Sequence, residues 1–354
     1  MRVLMHEFDV SHAQAGLLMS AVVIPGAILA IPSGMLVDHY GIRSIGFLST
    51  VLTAVGAFIT AVTDTFVLVL VGRVVLGIGG AFIVTTMPAV IPQWFPPNKL
   101  GKAMGVFGTN MPVGTTLAFL LTSALMVVYE WRYPFYVGVA ITTVSIIIFS
   151  LLVKEGPYKE ENNRISIVGH ALRNAEIWKI AVTWLFFNAA AISFTTWTPK
   201  LFEEFRGFEP FYASFLASML MLGAMPFVPI FGWISDHVGR RKPFMVTGSI
   251  LMALALVSVA YATDMALMAS IVALGITAAM VPPIVMALPS EILGPSSAGT
   301  GFGVVAMCLN IGIAFAPPLV GLIIDATGSP ALSFISMAAF SALAAATSFT
   351  VKVR

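Results

Sequence analysis

What most constrains this chain is a succession of long apolar runs joined by very short polar connections. Crossing the hydrocarbon core of a bilayer takes about 20 apolar residues of helix. Eleven runs reach that length: Ala13–Val37, Ser44–Thr63, Phe66–Ile91, Gly101–Val128, Tyr133–Val153, Ile177–Pro199, Phe211–Ser235, Pro243–Thr263, Met265–Leu288, Gly299–Ile324 and Pro330–Val351. They are too long and too continuous for barrel strands, which alternate in polarity over about 10 residues. Helices satisfy their own backbone hydrogen bonds in lipid. The expected fold is therefore an all-α polytopic membrane protein. Composition agrees: 58% of the residues are hydrophobic and only 10% are charged, against about 25% charged in a soluble protein. A water-soluble enzyme, a disordered chain and a nucleic-acid binder are excluded on that ground.

One connection is longer than the rest. Lys154 to Glu176 carries Lys154, Glu155, Lys159, Glu160, Glu161, Arg164 and Arg173, with a short surface helix expected over Ile165–Ala175. It separates five runs from six. If this connection is cytoplasmic, that side holds Arg43, Lys99, Lys102, Lys179, Arg240, Arg241, Lys242, Lys352 and Arg354 as well, and the other side holds Arg2, Arg132, Lys200 and Arg206. Basic residues favour the inner side. The reading is a multi-pass protein of the cytoplasmic membrane with its C-terminus inside and Met1 outside.

Two connections repeat each other. Gly34, Asp38, His39, Gly41 and Arg43 recur as Gly232, Asp236, His237, Gly239 and Arg241 at an offset of 198 residues. Gly105 recurs as Gly303 at the same offset. The chain is thus two similar halves, a construction common among secondary transporters. The expected organisation is an N-terminal bundle over 1–153, a cytoplasmic linker over 154–176 and a C-terminal bundle over 177–354. The repeat also places five spans opposite six. By symmetry one helix is expected ahead of Ala13, with the polar stretch Met1–His12 as its outer end and loop.

These residues resemble a known superfamily. The pattern G-x-L-x-D-x-x-G-x-R, here Gly34 to Arg43 with a second copy at Gly232 to Arg241, is similar to the hallmark of the major facilitator superfamily. Gly72-Arg73-Val-Val-Leu-Gly77-Ile-Gly79-Gly80 resembles its fourth-helix motif. Gly105-Val-Phe-Gly108-Thr-Asn110-Met-Pro112-Val-Gly114 looks like its fifth-helix motif. The resemblance implies two pseudo-symmetric bundles with eleven of twelve helices present. It implies a secondary transporter that moves a small solute, an organic anion or a drug-like molecule, by alternating access; the alternative is a substrate-sensing or inactive member that does not transport. It also implies a monomer that needs a small-molecule substrate, the bilayer and, in some members, a coupling ion.

The repeated loops are the expected gate. An aspartate at a helix end can pair with a facing helix N-terminus or with nearby arginines. Gly34 and Gly232 permit close helix approach, while Gly41 and Gly239 permit a tight turn. Arg43, Arg241 and their basic neighbours suit either an inner-side lock or simple topology control.

Arg73 is the sharpest single residue, since a charge inside a span costs at least about 2.5 kcal/mol. Three roles fit it: holding an anionic substrate, influencing a proton-carrying acid, or bonding to carbonyls of a neighbouring helix. No acid lies deep in a run, so a proton site is expected on the absent helix or not at all. Asn110, Asn188, Trp197 and Asn310 lie on runs that line or flank the cavity in the family's fold. Each suits substrate contact or an interhelical bond. Proline pairs at Pro282–Pro283 and Pro317–Pro318 are the expected hinges. Cys308 is a packing residue. No Walker loop G-x-x-x-x-G-K-[ST] occurs, so ATP-driven pumping is not expected. The scattered histidines His6, His12, His39, His170 and His237 give no metal spacing. Neither an enzyme activity nor a cofactor is expected.

Overall fold

The structure is a computed structural model, and it describes residues 7–8, 12–111, 113–114, 117–118, 121, 125, 129, 131–157 and 171–353. Among the described residues there are helices and no strands. In chain order the α-helices are α1 (His12–Val62), α2 (Phe66–Trp94), α3 (Leu100–Gly108), α4 (Tyr133–Leu152), α5 (Ala175–Arg206), α6 (Pro210–Val238), α7 (Lys242–Tyr261), α8 (Asp264–Ala278), α9 (Pro282–Leu293), α10 (Ala298–Thr327) and α11 (Pro330–Thr350). Short 3-10 turns at Pro97–Lys99 and Pro295–Ser297 precede α3 and α10. Nine described helical segments are long and apolar enough to cross a membrane.

Two expected spans, Ala13–Val37 and Ser44–Thr63, are two helices that meet at a kink within α1. The kink is at Gly41, whose φ of 84° and ψ of 161° are non-helical. A side chain is strained at such a φ, so glycine is what lets the chain turn there from one helix into the next. In the second repeat the helix ends at the equivalent glycine. Gly239 ends α6 in the left-handed region at φ 68°, and its N–H bonds the carbonyl of Ser235 at 3.0 Å.

The expected run Met265–Leu288 is divided between α8 and α9, which part at Ala279–Val281 just ahead of Pro282 and Pro283. Proline cannot donate to the helical ladder and clashes with the preceding turn. By contrast, α10 passes through Pro317 and Pro318 unbroken. α5 likewise continues through Pro199 to Arg206 and ends at Gly207, φ 66°. The expected surface helix at 165–175 and the latter part of the run 101–128 fall largely outside the described residues.

The chain forms two compact units. One comprises Met1–Trp94, Val113–Ala171 and Leu293–Met307; the other comprises Phe95–Pro112, Leu172–Ile292 and Cys308–Arg354. In the first unit α1 and α2 pack through small residues. A Cβ on Gly79 would lie 2.7 Å from the Thr53 nitrogen, and one on Gly72 would lie 2.9 Å from the Gly56 carbonyl oxygen. Ser49 donates to the carbonyl of Gly79 at 3.0 Å, and Thr85 donates to Ser33 at 3.1 Å. Lipid offers no hydrophobic drive between helices, so close backbone packing and such bonds hold the pair. The glycines of the Gly72–Gly80 motif are thus packing surface, Gly80 excepted. In the second unit Ser341 on α11 donates to the carbonyl of Ser249 on α7 at 2.8 Å. Thr183 on α5 meets Thr347 on α11 at 3.0 Å.

Candidate functional site: two repeated loop latches

The repeated loops each end in an aspartate aimed at the start of another helix. In the first unit, Asp38 sits on α1 three residues before the break at Gly41. Its Oδ1 accepts the N–H of Gly299 at 2.8 Å, and its Oδ2 accepts the N–H of Thr300 at 2.7 Å. The Thr300 hydroxyl also donates to Oδ2. The first N–H groups of a helix have no partner inside it, and the helix dipole favours a negative charge there. One carboxylate therefore satisfies two orphan donors of α10.

In the second unit, Asp236 does the same for α3. Its Oδ1 accepts the N–H of Gly101 at 2.8 Å, and its Oδ2 accepts the N–H of Lys102 at 2.6 Å. Donors and acceptors both obey the 198-residue offset: Asp38 and Asp236, Gly101 and Gly299, Lys102 and Thr300. The close contact beside them obeys it too. A Cβ on Gly34 would lie 2.2 Å from the Gly299 carbonyl oxygen, and one on Gly232 would lie 2.2 Å from that of Gly101. Farther along, Gly105 meets Val228 and Pro229, while Gly303 meets Ala30 and Ile31. Glycine is required here so that the backbones can touch, which brings each carboxylate within reach of its N–H pair.

The arginines break the symmetry. Arg241 is 7% exposed. Its guanidinium lies 2.7 Å from Asp236 and 2.6 Å from Glu291 on α9, and it donates to the Ser235 hydroxyl at 2.7 Å. Burial works against its charge. The hydrogen bond and attraction to Glu291, with those to Asp236, outweigh that and raise its affinity for the proton above the usual arginine range. These three side chains open on a cavity of about 410 Å³, lined also by Pro97, Asn98, Gly239 and Val353. Arg43, by contrast, is exposed and donates to the backbone carbonyl of Ser150 at 3.0 Å. The sequence reading singled out the aspartates, glycines and arginines of these loops. It passed over Thr300, Ser235, Glu291 and the four backbone donors.

The five substrate candidates meet different partners. Arg73 on α2 places its guanidinium 4.9 Å from the ring centroid of Phe135 on α4, and its buried Nε has no hydrogen-bond partner among the described residues. Asn188 is buried on α5 and donates to the Trp184 carbonyl of its own helix at 2.8 Å. Trp197 donates its ring N–H to the Pro317 carbonyl at 2.8 Å and packs on Gly321, where a Cβ would lie 2.7 Å from the ring. Asn110 is exposed just beyond α3, and Asn310 is half-buried on α10. Asn188 and Trp197 thus spend donors on the protein itself. Among the described residues no group of three or more metal-binding side chains assembles.

This arrangement of apolar helices and twinned loops defines a class of membrane carriers. The chain belongs to the Major Facilitator Superfamily, whose family model matches residues 1–226 and again 207–354. It is similar to the hexuronate transporter of Bacillus subtilis (strain 168), at 22% identity over 96% of this chain and 86% of that protein. It is also similar to a probable nitrate transporter, NarT, of Staphylococcus carnosus (strain TM300), at 22% identity over 98% of this chain and 89% of that one. In fold it matches the crystal structure of the superfamily transporter FucP in the outward conformation, with a TM-score of 0.80, 17% identity, and coverage of 99% of this chain and 92% of that one. The protein is a multi-pass membrane protein and a secondary transporter of a small solute, not an enzyme.

Proposed function

We propose that the solute is a small anion, and that the two loops are inner-side latches of an alternating-access cycle. The mirrored caps carry this reading. Each aspartate in one sequence half binds the first N–H pair of a helix in the other, at one common offset. Such bonds are made and broken as whole units, which is what a two-state gate needs. In this account the bundles 1–153 and 177–354, joined by the linker 154–176, rock about a central site in a monomer. The linker and C-terminus face the cytoplasm, as the distribution of Lys and Arg favours.

Arg73 supplies the charge for the anion. The Phe135 ring attracts the guanidinium through its face and uses none of its N–H donors, so they stay available to a ligand. Relatives named for hexuronate and nitrate point toward the same charge. Asn110 and Asn310 are further polar candidates for substrate contact, with a coupling ion where transport runs uphill. Asn188 and Trp197 are proposed to shape the wall.

The test is flux into proteoliposomes with nitrate, nitrite and a hexuronate as probes. At least one should be transported, with Arg73→Lys retaining and Arg73→Ala losing most of the rate. Binding of an anion without flux for any of them would overturn the transport reading, and full flux with Arg73→Ala would remove that residue's role.

A further inference from the structure

The two latches are fastened differently, and the difference points to the linker. This inference rests on the latch reading above and deepens it. In the second repeat, Arg241 holds Glu291. At the same offset of 198, Arg241 corresponds to Arg43 and Glu291 to Gln93. The first repeat therefore has a neutral amide where the second has the acid, and among the described residues the Arg241–Glu291 ion pair has no counterpart at Arg43. Both orphaned groups have found partners in one stretch of chain. Arg43 donates to the carbonyl of Ser150, near the end of α4. Gln93, 4% exposed at the end of α2, accepts the N–H of Gly156 at 3.2 Å.

Gly156 is buried, and the fit around it is tight. A Cβ there would lie 2.1 Å from the Gln93 carbonyl oxygen and 2.4 Å from its carbon. Residues on either side of Gly156 are not buried: Glu155 is half-buried and Pro157 is exposed. One glycine at the start of the linker is thus seated against the backbone of α2, at the position where the second repeat has its locking acid.

We propose that Ser150–Gly156 is a tether that takes the place of the missing ion pair, so that the linker positions the first latch. Arg43, Gln93 and Gly156 act through Asp38 and are positioning residues. Any event that pulls the linker away, whether a binding partner or a covalent modification there, releases the first latch and leaves the second closed by its own charges. The connection between the repeats becomes a control point, because its hold on the first unit is a neutral bond and a steric seat rather than a buried ion pair.

The experiment uses maleimide labelling of single cysteines in the full chain with Cys308→Ala. Ser297→Cys reports the first latch and Ser290→Cys the second; both positions are buried. Gly156→Ala is expected to raise the labelling rate at 297 at least about fivefold and to leave 290 within twofold. Adding Gln93→Glu should restore protection at 297 by giving Arg43 an acid to hold, and Arg43→Ala should abolish that rescue. A merely structural glycine would show no such rescue. If Gly156→Ala does not fold, Gln93→Leu removes the acceptor without a clash and should raise labelling at 297 alone. Unchanged labelling at 297 in both variants overturns the tether, provided that Asp38→Asn raises it. If Asp38→Asn leaves 297 protected, the latch reading itself fails.

Discussion

The helix caps at Asp38 and Asp236, the two latches of the proposed function, are built on one plan and held by different forces. Both use a carboxylate on two backbone N–H groups and a glycine contact in which a Cβ would fall 2.2 Å from a carbonyl oxygen. The second adds a buried arginine shared by two acids. The first adds a threonine hydroxyl and a neutral link to the linker. Symmetric geometry therefore does not mean equal strength. Charges in a buried cluster depend on one another, so losing one member leaves the others unpaired. A cap made of backbone donors loses only its own bonds.

The largest expected effect comes from Arg241→Ala, which leaves Asp236 and Glu291 without their cation. Breaking a buried pair in this way costs about 3–5 kcal/mol, read as a large fall in the unfolding temperature of the detergent-solubilised protein. Arg43→Ala should change that temperature little, since Arg43 is exposed. Equal effects of the two would break the comparison. Arg241 gains proton affinity in the folded state, so its contribution is present at every pH below the usual arginine range and is lost only above it. A stability loss at Arg241 that varied between neutral and mildly alkaline pH would contradict that assignment.

Next come Gly34→Ala and Gly232→Ala. Each forces apart the same backbone contact, and overpacking of this kind costs about 1–3 kcal/mol. Here the two repeats should match, because the contact is common to both. A difference of more than about twofold in labelling at 297 and 290 would show that the glycine contact is not equivalent in the two.

The smallest effect is expected from Thr300→Val, which removes one hydroxyl from Asp38 and costs about 1 kcal/mol. Its counterpart Lys102 reaches Asp236 through the backbone, so Lys102→Ala should leave the second latch closed. Opening of the second latch in Lys102→Ala would show that side-chain charge, not backbone capping, holds α3.

Much of this was legible in the chain and some was not. Span positions followed from apolar runs, because lipid tolerates little else. The repeated Gly–Asp–Gly–Arg pattern named the loops, since a second copy at a fixed offset needs no structure to be seen. The donors that meet the aspartates were hidden because they are backbone N–H groups more than 130 positions away, which have no side-chain signature. The actual partners of Asn188 and Trp197 were hidden because a sequence does not show a bond to the preceding turn or to a carbonyl on another helix. The kink that joins the first two spans at Gly41 rests on a backbone conformation that a glycine alone does not announce. The division ahead of Pro282 was signalled by the proline pair. The same signal at Pro317–Pro318 produced no break.

The central claim is that both aspartates hold the inner latches, and single-cysteine labelling tests it without knowledge of the solute. With Ser297→Cys and Ser290→Cys as reporters in the Cys308→Ala chain, Asp38→Asn should speed labelling at 297 and Asp236→Asn should speed labelling at 290, each at least about fivefold. Rates unchanged by both substitutions, in protein that remains folded, would contradict the account.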